Sequence, residues 1–130
     1  YMFYDLFKNY TALEAEVLGS SCFLNDGQGH FTRKDLAPDL QLSPIFAFQR
    51  QDSTSYLAGG NFFGAMPYEG RYDAASLQAF TIDNSGTERS RLLDIKGQVR
   101  DLKRIHTARY GDLIIEARNN DSLSFLLPNR

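Results

Sequence analysis

Residues 61–73 read Asn-Phe-Phe-Gly-Ala-Met-Pro-Tyr-Glu-Gly-Arg-Tyr-Asp, a run that mixes aromatic and ionisable side chains with two glycines and a proline. Glu69, Arg71 and Asp73 alternate, so an extended backbone sets all three on one side. Phe63, Tyr68 and Tyr72 offer flat apolar faces, while Asn61, Arg71 and Asp73 supply directional hydrogen bonds. That combination suits a binding surface for a polar ligand such as a glycan or a protein. The competing reading is structural: Glu69 or Asp73 clamps Arg71 and braces a long loop against its own sheet. Two further polar clusters, Arg100-Asp101 and Arg118-Asn119-Asn120-Asp121, join this loop if neighbouring strand ends converge on one rim. They are equally the residues that turns select for their own sake.

Hydrolysis of a glycosidic bond needs two suitably spaced carboxylates, and Glu69 with Asp73 or Asp101 are the pairs to consider. No nucleophile elbow, phosphate-binding loop, dinucleotide fingerprint or zinc-ligand spacing accompanies them. The expectation is a non-catalytic protein without cofactor. His30 and His106 each stand beside a predicted turn, with no second His or Cys nearby, so neither points to a metal. The basic stretch of Lys96, Arg100, Lys103, Arg104, His106 and Arg109 is diluted by Asp94, Asp101 and Asp112 and reads as a solvated strand face. Cys22, between Ser21 and Phe23, reads as a small buried hydrophobe.

The elements that must position these residues fit in one domain, since 130 residues are too few for two comfortable ones. Fourteen basic and sixteen acidic side chains nearly balance at a net charge of -2, which argues against a nucleic-acid partner. No apolar run is long enough to insert in a bilayer. The chain opens Tyr1-Met2-Phe3 without a signal peptide and reads like a piece of something longer. One cysteine forbids an internal disulfide, unlike a small stapled secreted module.

Leu6, Tyr10, Leu13 and Val17 step by four, three and four, which predicts an amphipathic helix over 5–17, started by Asp5 and stopped at Gly19. Beyond it the period becomes that of strands. Ser21 to Leu24 and His30 to Arg33 flank Asn25-Asp26-Gly27-Gln28-Gly29, a hairpin tip rich in residues that tolerate positive φ. Strands follow at 44–48, 56–58, 76–82, 87–93, 98–102, 113–117 and 122–126. Ser76-Leu77-Gln78-Ala79-Phe80 parallels Ser122-Leu123-Ser124-Phe125-Leu126, and each follows an apolar strand that ends at asparagine. The predicted fold is therefore all-β, in antiparallel four-stranded blade-like sheets of an incomplete β-propeller. Its parts are a leading helix (1–18), the outer hairpin of one blade (19–42), a full blade with the long loop 61–75 (43–93) and a partial last blade (94–130).

Phe23-Leu24-Asn25-Asp26-Gly27-Gln28-Gly29-His30-Phe31-Thr32 resembles the "LNDGxGxFT" hairpin of bacterial FG-GAP/VCBS-type repeats, which build integrin-like β-propellers. Ala58 to Gly64, Pro67 to Ala74, Gly97 to Leu102 and Ala117 to Asp121 look like the last blades of surface-exposed VCBS-repeat proteins. The resemblance covers about residues 18 to 127. It implies export to the periplasm or cell surface and a mostly non-enzymatic role in adhesion or in glycan or protein binding. The alternative is a purely structural terminal cap of a larger propeller; a glycoside hydrolase is the third reading. Repeats of this family often carry an Asp-x-Asn-x-Asp-Gly calcium loop. Residues 49–55 keep one carboxylate and 105–112 are no richer, whereas calcium takes six to eight oxygens, so neither loop is expected to bind metal. So few blades cannot close a ring, so the partners implied are further blades of a longer chain or a second copy, as in a homodimer.

Overall fold

A computed structural model describes residues 10–66, 68, 70–83 and 88–127. Among the described residues nine strands form three antiparallel sheets taken in chain order. The first pairs β1 (Ser21–Asn25) with β2 (Phe31–Asp35). The second is a four-stranded meander of β3 (Ile45–Arg50), β4 (Ser55–Gly60), β5 (Gln78–Ile82) and β6 (Glu88–Leu92). The third joins β7 (Val99–Thr107), β8 (Gly111–Arg118) and β9 (Ser124–Leu126).

Turn chemistry explains where the strands reverse. At the first tip Gly27 and Gly29 take φ of 81° and 92°, a region open to glycine without cost. The Asn25 Oδ1 accepts the Gly27 N–H, and Asp26 Oδ1 accepts the N–H groups of Gln28 and His30. Between β3 and β4, Asp52 Oδ1 accepts the Thr54 and Ser55 N–H groups. Bonds from Gln28 N–H and from Thr54 N–H are the first causes that hold the Asp26 and Asp52 carboxyls below the ordinary range.

The second and third sheets repeat one another in register. In the second, Ile45 pairs Gly60 and Ala47 pairs Gly59, which leaves Phe46 as a bulge. In the third, Val99 pairs Arg118 and Asp101 pairs Ala117, which leaves Arg100 as the bulge. Asn61 donates its N–H to Pro44 O as Asn119 does to Gln98 O. Ala58 opposite Gln78 answers to Glu116 opposite Ser124.

Sheet packs on sheet around two cores. Leu36, Leu40, Ala58 and Phe80 join the first sheet and the Pro38–Gln41 3-10 turn to the second. Ala47, Leu57, Leu77, Val99, Leu102 and Ile114 join the second to the third. The Gly59-Gly60 pair permits this approach. A Cβ on Gly59 would lie 2.7 Å from Val99 Cγ1, and one on Gly60 would lie 1.8 Å from Pro44 O. Both glycines answer to close approach rather than to a turn.

The leading helix requires correction. Residues 10–18 contain no helical turn, and Leu13 is 92 % exposed; residues 5–9 of the expected helix lie outside those described. Among the described residues the one helical stretch is the 3-10 turn. An isolated amphipathic segment this short is marginal in water unless its apolar stripe is covered, and Leu13 and Val17 of that stripe are exposed. The strand expected at 98–102 is also longer, because Ile105 continues the ladder opposite Leu113.

Candidate functional site

Loop 61–75 is a braced hairpin. Asn61 takes φ of 75°, a conformation asparagine tolerates better than most residues, and turns its amide inward. Its Oδ1 accepts the Ala75 N–H at 3.1 Å, and its Nδ2 donates to Ala75 O and, at 2.9 Å, to Gly97 O. Phe62 and Tyr72 then exchange both backbone hydrogen bonds, at 2.8 and 3.0 Å. Asn61, expected at a ligand surface, is buried, and its side chain ties the loop to Ala75 and Gly97.

Farther out the expected clamp is present in part. The Arg71 guanidinium lies 4.0 Å above the Phe63 ring, and its Nε stands 3.8 Å from Asp73 Oδ2. Both charged side chains are more than half exposed, so the ion pair is worth about 0–1 kcal/mol. Glu69, the other expected partner of Arg71, lies outside the described residues. Tyr72 is exposed at the bridge to Phe62. Tyr68 projects to solvent at 81 % exposure, with its hydroxyl donating to Met66 Sδ at 3.0 Å.

Behind Phe63 the loop meets the third sheet around a cavity of about 410 Å³. Its walls are residues 62–64, the Gly97-Gln98 corner with Arg100, and the turn 119–121. Arg100 projects here because it is the bulged residue of β7. Its Nη1 donates to Asn61 O at 3.1 Å, and its guanidinium stacks 4.2 Å from the Phe46 ring, the bulged residue of β3. The Arg100 Nη2 and the Phe63 N–H, the latter at 3.0 Å, both point at the Gln98 side-chain amide. An amide nitrogen there would face only donors, so the oxygen occupies that side. The far side of the Gln98 amide lies 2.7 Å from the Asn119 amide. Three expected residues thus converge on the cavity, Phe63, Arg100 and Asn119, together with Gln98, which the sequence reading did not single out.

Arg118 is a brace. Its Nη1 donates to Lys96 O at 3.0 Å and lies 3.1 Å from Asp121 Oδ2, while Nη2 donates to Ser122 O at 3.2 Å. These contacts fix the corner at Gly97, whose φ is 145° and where a Cβ would stand 2.6 Å from Arg118 Cδ. Asp101 is not at the cavity: its Oδ1 accepts the Leu102 N–H and lies 3.8 Å from Lys103 Nζ. The histidines face hairpin aspartates, His30 Nδ1 at 2.8 Å from Asp26 and His106 Nδ1 at 2.7 Å from Asp112. Among the described residues no three His, Cys, Asp or Glu side chains gather as a metal site.

The sequence reading also passed over Glu116. It lies at 0 % exposure with neither carboxylate oxygen hydrogen-bonded. Burial raises its carboxyl above the ordinary range, and the charge of nearby Arg118 offsets this in part. An acid inside the run Leu113-Ile114-Ile115-Glu116-Ala117 is the signal that could have marked it.

No family model matches the chain, and no curated protein or solved structure matches it either. Among the described residues no helix is long and apolar enough to cross a membrane.

Proposed function

We propose that this chain is a non-catalytic binding module of an exported bacterial β-propeller of the FG-GAP/VCBS kind, and that it holds a neutral polar ligand, a glycan, in the cavity between loop 61–64 and the turn 119–121. The convergence of an aromatic face, Phe63, with the Gln98 and Asn119 amides at that cavity carries the reading. Sugars present hydroxyls to planar amides and apolar ring faces to aromatic side chains, and such pockets combine a few fixed polar groups with apolar walls. The ordered meander and its repeat in register support the blade assignment. The further sheets needed to complete a ring come from a longer chain or from a second copy.

Binding is favoured over glycoside hydrolysis because the rim acids at hand face cations. Asp73 lies beside Arg71 and Asp121 beside Arg118, so each of these carboxylates already has a guanidinium partner. A purely structural cap is the rival reading, favoured by the inward engagement of Asn61 and Arg118.

A glycan array followed by thermal-shift titration separates the two. Phe63→Ala and Asn119→Ala are expected to weaken a hit at least about tenfold, the loss of roughly one stacking or hydrogen-bonding contact. Tyr68→Ala leaves it unchanged. Absence of any hit, or a hit insensitive to both cavity variants, favours the cap.

A further inference from the structure

The repeated register identifies two kinds of sheet face. Ile45, Tyr56 and Phe80 of the second sheet pack toward the first, and their counterparts Val99, Ile114 and Leu126 of the third pack toward the second. On the opposite face of the second sheet, Ala47, Leu57, Leu77 and Ala79 pack against the third. The same register maps these four onto Asp101, Ile115, Leu123 and Phe125. No described sheet covers that face. Leu123 is 57 % exposed and Phe125 62 %, and beside them Ile105, Leu113 and Leu127 line a groove of about 450 Å³.

The other end of the stack carries the complementary feature. Phe80 is the central residue of a five-residue strand running into a hairpin tip, and it is buried against the first sheet. Phe23 is the central residue of the corresponding strand β1, yet it is 64 % exposed, with Phe31 exposed near it across the hairpin. Exposed apolar side chains grouped on one face, as Phe23 and Phe31 are beside Arg33, suit a contact surface. A contact between the two ends continues the sheet-on-sheet stacking already formed twice within the chain.

We infer that the outer face of the third sheet docks the outer face of the first sheet of a second copy, head to tail, with Phe23 of the incoming copy set against Phe125 and Leu127. The inference rests on the repeated-sheet part of the proposed function and not on its ligand. Such a contact is heterologous, so each added copy presents a fresh face, and growth ends in a ring or continues as a filament.

Light scattering tests it with Phe23→Glu and Phe125→Glu, which block opposite ends. The wild-type mass is expected to rise with concentration, and each variant alone to stay monomeric. An equimolar mixture of the two variants gives dimers and nothing larger, because only one compatible pair of faces remains. A wild-type chain that stays monomeric throughout overturns the inference. So does a mixture that stays monomeric while the wild type associates, or a single variant that still dimerises, which indicates face-to-face or edge pairing. If Phe125→Glu lacks the β-sheet circular dichroism of the wild type, Leu123→Glu replaces it. Glycan binding by the monomeric variants is scored separately, so failure at the rim and failure of the stacking are distinguishable.

Discussion

Single residues at the rim divide by whether their polar groups face inward or outward. Asn61 and Arg118 tie loop and corner to the sheets, and Asn119 and Phe63 stay at the cavity. Glu116 belongs to neither set: it occupies the register position that Ala58 fills one sheet earlier, and burial lifts its carboxyl. A carboxyl raised by folding favours the protonated form, so its penalty is absent below the unfolded glutamate range. The penalty grows as pH rises through the folded value. Glu116→Gln keeps the shape and removes the charge that burial penalises, so it is expected to raise stability at neutral pH. Arg118 keeps Asp121 and two carbonyls in that variant. Thermal melts at neutral and acidic pH check this, and the advantage must shrink on acidification; a variant less stable at neutral pH contradicts it.

Elements were legible where the signal is local and hidden where it is not. The Asn25-Asp26-Gly27 tip and the apolar runs ending at Asn61 and Asn119 place strands because turn preferences and two-residue alternation act within a few residues. The bulges at Phe46 and Arg100 were not legible, since a bulge is a relation between two strands. The role of Gln98 is equally hidden, because it joins Phe63, Arg100 and Asn119, which the chain reaches from separate strands. The helix was misread for a different reason: a stripe such as Tyr10, Leu13 and Val17 shows that a face wants cover and says nothing of whether cover exists. Close backbone approach gives the element-scale prediction. Gly59→Ala is expected to cost about 1–3 kcal/mol by crowding the methyls of Val99. Gly60→Ala is expected to cost more, since Pro44 O is backbone and cannot swing aside. Denaturant midpoints of the two variants rank them, and equal midpoints would refute this account of the glycine pair.

For the whole molecule, the loop that the sequence singled out does meet the third sheet, yet the cavity owes as much to the Gly97-Gln98 corner as to the loop. The repeat explains this: two units in the same register bring their asparagine-ended strands to one rim and leave the last apolar face without a further unit.

The second sheet alone has a described neighbour on each side, and β4 lies inside it with a strand at either edge. In the monomeric Phe23→Glu variant solvent deuterons therefore reach the amides of residues 56–58 only when the stack comes apart, and those of β9, on an open edge and an open face, through local fraying. Native-state deuterium uptake of that variant should be slowest at Leu57 and much faster at Phe125, a contrast set by the position of each strand in the stack.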